Sequence, residues 1–182
     1  MSVRAVWQLI RKKVDQKTFI KGSIFLIGLV LLFGWVHTNY LIHPVAGTSM
    51  EDALQNGDRV FLNRKSSITR YSVVGFSLSK EEGMFVKRVI GMPGDSIVVQ
   101  GNRLTLSVGD RSFNTTYSFE LTSDVSQEIK DLKKIPPRSY FVIGDNVSVS
   151  RDSRSFGLVK RQKIEGKVQY KIYPLSEIRP IN

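Results

Sequence analysis

A mainly β fold behind one N-terminal membrane-spanning helix is the architecture this sequence predicts, and three features point to it. A single uncharged, almost wholly apolar run lies near the start. Short runs rich in β-branched and aromatic residues, separated by turn signals, fill most of the remaining chain, and one later stretch alone has helical character. The composition agrees: 182 residues, 41% hydrophobic and 24% charged, suit one domain with a real core rather than a disordered chain.

From the N-terminus, residues 1–21 form a basic segment, in which Arg4, Arg11, Lys12, Lys13, Lys17 and Lys21 against Asp15 give +5 of the net +11. Gly22–Val36 carries no charge. With the weaker continuation His37–Ile42 it makes an anchor over 22–42, about 20 residues, enough for a helix to cross a hydrocarbon core of roughly 30 Å. A cleaved secretory signal has a similar outline, but its small-x-small cleavage site is poorly formed here, since Ala46 would need a small residue at Pro44. The basic flank puts the N-terminus in the cytoplasm and everything after about residue 42 outside, at the cell membrane in a single pass. Because nearly half of the positive excess flanks the apolar run, and no basic patch is interleaved with aromatics, the charge fits attraction to membrane lipids and not nucleic acid.

Residues 43–182 predict a compact antiparallel β-domain. Arg59–Asn63 follows an Asn56-Gly57-Asp58 turn, Ser96–Gln100 follows Pro93-Gly94-Asp95, and Arg103–Val108 follows Gly101-Asn102. Tyr140–Ile143 and Lys167–Tyr173 complete the strand-like runs, while Ser126–Lys134 predicts a helical turn ended by Pro136-Pro137. There is no cysteine, which removes disulfides and Cys-ligated metals. His37 and His43 are the two histidines, with no carboxylate beside them, so neither a metal nor a cofactor is expected. No histidine follows residue 43, which argues against a Ser–His–Asp arrangement in the outer domain.

Three segments hold residues of chemical interest: Ala46-Gly47-Thr48-Ser49-Met50, then Phe85-Val86-Lys87-Arg88-Val89-Ile90-Gly91-Met92-Pro93-Gly94-Asp95, then Gly144-Asp145-Asn146-Val147-Ser148-Val149-Ser150-Arg151-Asp152-Ser153-Arg154-Ser155-Phe156-Gly157. Singly, each has an ordinary reading. Gly-Thr-Ser is usually a loop, Lys-Arg on a strand a solvated edge, Gly-Asp-Asn a turn, and Asp152 with Arg154 a surface ion pair. In this order, behind one anchor, they resemble the type I signal peptidases, serine peptidases with a Ser–Lys dyad. The resemblance extends through Gly157-Leu158-Val159 and Ile164-Glu165-Gly166-Lys167-Val168, with 98–137 as a variable insertion between the second and third segments.

That resemblance implies a β-domain of the signal-peptidase type, Ser49 as nucleophile and Lys87 as general base. A lysine can serve only when neutral, whereas a free one titrates near 10.4. Burial disfavours the ammonium, and Phe85, Val86, Val89 and Ile90 supply apolar surroundings. Ser150 matches a serine that hydrogen-bonds the lysine, Asp152 and Arg154 match a supporting ion pair, and Asp145 and Asn146 shape the same turn. The backbone N–H of Ser49 is the first donor for the oxyanion; Gly47 stands where some relatives have a hydroxyl. Val45, Met50, Leu54, Phe85 and Val86 match positions lining shallow pockets that prefer small residues, as in Ala-x-Ala. The substrates implied are exported proteins bearing signal peptides.

Departures from the family pattern accompany the match. Glu51-Asp52-Ala53-Leu54 replaces the usual x-Pro-Thr-Leu, which removes a rigid turn and sets two carboxylates beside Ser49, with Asp52 expected to cap a turn. Val147 replaces a common arginine, and Tyr71–Gly75 is a weak version of the segment preceding the lysine strand. These changes suggest a specialised enzyme with few substrates. The alternative is a catalytically weak relative acting as an anchored peptide-binding or surface-assembly chaperone.

Overall fold

The structure, a computed structural model, describes residues 16–79, 81, 83–109 and 114–181. It divides into two units, one through Asn39 and one from Tyr40 onward.

The first unit is helix α1, Gln16–Asn39. Its window Phe19–Asn39 is 21 residues long with a mean hydropathy of 2.1, about 30 Å of helix, and its large apolar side chains are exposed all round. A soluble amphipathic helix hides one face; this one hides none, which fits a membrane anchor. The helix closes where Thr38 Oγ1 and Asn39 Nδ2 donate to the Trp35 carbonyl at 3.0 and 2.6 Å. The span expected over 22–42 is therefore shifted. Phe19 and Ile20 join the apolar window, whereas Tyr40–Ile42 leave the helix because they find a strand partner.

The second unit is mainly antiparallel β. Its strands are β1 (Tyr40–Pro44), β2 (Arg59–Asn63), β3 (Val73–Ser77), β4 (Met84–Gly91), β5 (Ser96–Gln100), β6 (Arg103–Gly109), β7 (Asn114–Glu120), β8 (Ser139–Ile143), β9 (Val159–Lys160), β10 (Ile164–Tyr173) and β11 (Arg179–Pro180). The larger sheet runs β1-β2-β10-β3-β4-β8-β9, with β11 beside β10. In β10 Ile164, Gly166 and Val168 are buried between partly exposed neighbours, the period-two pattern of a strand with one buried face. Its register shifts let it pair with β3 through its first half and with β2 through its second.

The smaller sheet is β5-β6-β7, and it occupies most of the segment expected to be a variable insertion. It has a core of its own: Ile97, Leu104, Leu106 and Val108 pack with Leu121, Val125 and Ile129 and against Phe141 and Ile143 of β8. Helix α2 spans Ser123–Ile129, earlier and shorter than Ser126–Lys134. Residues 133–135 leave the helix to bond the chain at the start of β5, with the Ile97 N–H on the Lys133 carbonyl and the Ile135 N–H on the Asp95 carbonyl. Proline does not end that helix; a sheet edge needing partners does.

Candidate active site

The Ser49 loop leaves β1 and returns as β2, and its base is closed by two backbone bonds, Val45 N–H to Asp58 carbonyl at 2.7 Å and Gly57 N–H to Val45 carbonyl at 2.9 Å. Gly47 adopts φ +84°, a left-handed conformation that side chains disfavour, and its N–H reaches Asn56 Oδ1 at 3.0 Å. Beyond Ser49 the chain coils: the Ala53 and Leu54 amides both bond the Met50 carbonyl, at 2.9 and 2.6 Å. A turn thus forms without the proline of the family pattern. Asp58, and not Asp52, caps it, accepting from the Gln55 N–H at 2.8 Å. Met50 and Leu54, 1% and 0% exposed, pin the turn into a core of Val60, Leu62 and Val168.

Lys87 lies on β4, opposite Val74 of β3. It is 3% exposed, and its Nζ donates to Ser49 Oγ at 2.5 Å. Burial pushes its ammonium below the ordinary lysine range, and the charges of Asp152 and Asp145 oppose the fall without cancelling it. When the amine is neutral the same contact reverses, with the hydroxyl donating to nitrogen.

The third segment is fastened around this pair. The Asn146 N–H donates to the Ser49 carbonyl at 3.1 Å. Arg88 holds Asp145 through Nε and Nη2, both at 2.8 Å, and its Nη1 bonds the Tyr71 carbonyl at 2.9 Å. Asp152 is fully buried; it takes Arg154 Nε at 2.8 Å, Arg154 Nη2 at 2.9 Å and the Gly144 N–H at 3.1 Å. Here a planar guanidinium meets a carboxylate in two-point geometry inside the fold, so the pair is no loose surface bridge. Glu51 accepts from Asn146 Nδ2 at 3.2 Å, which ties the acidic pair's first member to the same turn.

Ser150 departs from the expectation. Its Oγ is buried and has no hydrogen-bond partner among the described residues, and the Lys87 bond goes to Ser49 instead. The hydroxyl is packed against Gly144, where a Cβ would collide with Ser150 Oγ and the Ser49 carbonyl. The close approach of the two segments therefore needs glycine at 144.

A cleft of about 380 Å³ leads away from Ser49 and Lys87. Val45, Met50, Phe85 and Val86 line it; Leu54 does not, because it points into the core beneath the loop. Met84, Val149 and Arg151 also line it and escaped the motif reading. Val149 and Arg151 carried a signal, their place in the third segment, but Met84 has none outside the tertiary structure. The cleft's β4 wall is an open edge. β3 pairs with Met84–Arg88 on one side, whereas β8 covers only Arg88–Gly91 on the other, leaving Met84–Lys87 without a strand there among the described residues.

A model of the family described as "Signal peptidase, peptidase S26" matches residues 17–173. The chain belongs to the signal peptidase family. Signal peptidase I P of Bacillus subtilis subsp. natto is 34% identical over 63% of this chain, and the matched stretch spans 62% of that relative. Signal peptidase IB of Staphylococcus aureus strain Mu50 is 31% identical over 84% of this chain and 88% of its own length. A crystal structure of a signal peptidase I from Enterococcus faecalis V583 shares 29% identity, covering 56% of this chain and 97% of that one, with a TM-score of 0.39.

Proposed function

We propose that the protein is a membrane-bound endopeptidase that removes signal peptides from exported proteins, with Ser49 as nucleophile and Lys87 as general base. The observation that carries this reading is the buried Lys87 amine within 2.5 Å of Ser49 Oγ at the head of a peptide-sized cleft. Lys87 takes the Ser49 proton as Oγ attacks the scissile carbonyl carbon. The tetrahedral oxyanion takes the Ser49 backbone N–H as its first donor. Collapse of that intermediate breaks the C–N bond, and the Lys87 ammonium gives its proton to the leaving amine. Water, deprotonated by Lys87, then hydrolyses the Ser49 ester and regenerates both groups.

An extended substrate adds to the open edge Met84–Lys87, its main chain bonding the strand and its alternate side chains entering the pockets of the cleft. Val45, Met50 and Val86 leave room for small residues there, as in Ala-x-Ala. Helix α1 serves as the anchor, with the basic N-terminus in the cytoplasm and the peptidase unit outside. The Glu51-Asp52-Ala53 departure and Val147 support a restricted substrate set; efficient cleavage of a broad panel of signal peptides would overturn that part.

The test is incubation of the full chain in detergent with an Ala-x-Ala substrate. Cleavage by the wild type that is lost in Ser49→Ala is the expected result. No cleavage by either protein, with the peptide still bound, would replace the enzyme by an anchored peptide-binding protein.

A further inference from the structure

Two parts of the chain grip the loop that carries Ser49. From the third segment, the Asn146 N–H holds the Ser49 carbonyl at 3.1 Å. Three further contacts come from β10 and the segment after it. Lys171, buried on β10, meets Asp58 Oδ2 at 2.8 Å and Glu177 Oε2 at 2.6 Å, and the same Asp58 oxygen takes the Gln55 N–H at 2.8 Å. Arg179 Nη2 donates to the Ala53 carbonyl at 2.7 Å. Ile181 is buried in the cluster that contains Val45, Met50 and Leu54. Lys171, Glu177, Arg179 and Ile181 are not among the residues lining the cleft.

The Arg179 backbone is placed by the sheet. β11 pairs with β10, Arg179 opposite Lys171 and Pro180 opposite Tyr170, and the Ile181 N–H extends the pairing to the Gln169 carbonyl at 3.0 Å. The acceptor of the guanidinium lies at the end of a single turn, in which the Ala53 and Leu54 amides bond the Met50 carbonyl. The last carbonyls of a turn have no partner within it, and a basic side chain satisfies one of them here. Met50 begins that turn and is joined directly to Ser49. Because the turn is internally bonded it moves as one piece, so what holds Ala53 also holds Ser49 Oγ at 2.5 Å from Lys87 Nζ. A reacting group misplaced by about 1 Å loses as much as a hundredfold in rate.

We propose that Arg179 is a positioning residue for the nucleophile: acting from outside the cleft, it fixes the turn after Ser49 and so keeps Oγ in register with Lys87 Nζ. This rests on the peptidase reading and deepens it. Lys171 and Ile181 grip the same loop from the core, whereas Arg179 is exposed and makes this one bond, so its loss leaves the core intact.

Arg179→Ala and Arg179→Lys test it in the full chain in detergent, with the Ala-x-Ala substrate varied in concentration. Arg179→Ala should lower kcat by roughly tenfold and change KM by less than about twofold, since no group that touches substrate is altered. Arg179→Lys should recover most of the rate, because one bond to a carbonyl is within reach of an ammonium. A merely structural role would reduce the number of folded molecules, and that number is counted separately by fluorescence anisotropy. Added to Ser49→Ala, Arg179→Ala should bind the same labelled peptide with unchanged affinity and stoichiometry. Unchanged kcat in Arg179→Ala overturns the proposal. So does a fall in rate matched by an equal loss of binding sites, a variant that does not fold, or an equal fall in Arg179→Lys. In each of these cases wild-type cleavage that is lost in Ser49→Ala leaves the peptidase reading standing; a wild type that binds the peptide without cleaving it removes both.

Discussion

Lys87 and Lys171 lie on strands of the same sheet and are 3% and 1% exposed, yet their surroundings drive them in opposite directions. Lys87 donates to a hydroxyl and has two carboxylates acting on it, both engaged by arginines, so burial dominates and its ammonium is disfavoured. Lys171 is pushed down by burial too, but Asp58 at 2.8 Å and Glu177 at 2.6 Å together push it up further, and the net is a rise above the ordinary lysine range. Burial alone therefore does not fix the direction of a lysine's shift. The carboxylates of the third segment are paired with arginines, whereas Asp58 and Glu177 pair with Lys171 itself. The second pair supports the first. Asp58 also closes the loop that presents Ser49, through its carbonyl to Val45 and its carboxylate to Gln55.

Four experiments sharpen or break this comparison. The largest effect belongs to Lys87→Arg, which keeps a proton that a base must lose; cleavage of the Ala-x-Ala substrate should fall by about ten-thousand-fold with the far-ultraviolet circular dichroism unchanged. Retained activity in the purified variant would sink the dyad.

Next is stability in urea. Lys171→Met leaves Asp58 buried without its partner and should lower the unfolding free energy by roughly 3–5 kcal/mol. Lys87→Met removes a buried amine that burial disfavours, and should not lower it. The pH dependence separates the two further. The folded pKa of Lys87 lies below the unfolded value of about 10.4, so its destabilising contribution is fully present below the folded value and vanishes above the unfolded one. The folded pKa of Lys171 lies above that value, so its stabilising contribution is fully present below about 10.4 and is lost as pH rises through the folded pKa. Equal pH dependence of the two variants relative to wild type would erase the contrast.

A smaller effect is expected from Asp145→Asn, read from the acid limb of the cleavage–pH profile. Cleavage falls as pH drops through the Lys87 pKa, and removing a charge that raises that pKa should move the limb to lower pH. A limb moved to higher pH contradicts the assignment. Smallest is Glu51→Gln. Its bond to Asn146 is exposed and 3.2 Å long, so unfolding should change by no more than about 0.5 kcal/mol. A larger loss would mean that the acidic pair braces the turn.

Several elements were legible because their signal is local. Arg59–Asn63 and Ser96–Gln100 have the same bounds in the sequence reading and in the structure, each being a β-branched run behind a glycine turn. β1 was hidden in the tail of the apolar run, where Tyr40–Ile42 read as more anchor until β2 offered them partners. β3, with Gly75 in its middle, reads weakly by propensity; it is a strand because β4 and β10 pair with it on either side.

The residues by themselves determined the mainly β class, the apolar anchor and the pairing of one serine motif with one lysine motif, since each depends on composition or short-range order. Only the tertiary structure decided that Leu54 turns into the core, that Ser150 Oγ packs against Gly144 without a hydrogen bond to Lys87, and that Met84, Val149 and Arg151 share a cleft. It also decided in which direction each buried lysine is shifted. That property depends on which carboxylates reach the amine: Asp58 and Glu177 bond Lys171 directly, whereas Asp145 and Asp152 are paired with arginines.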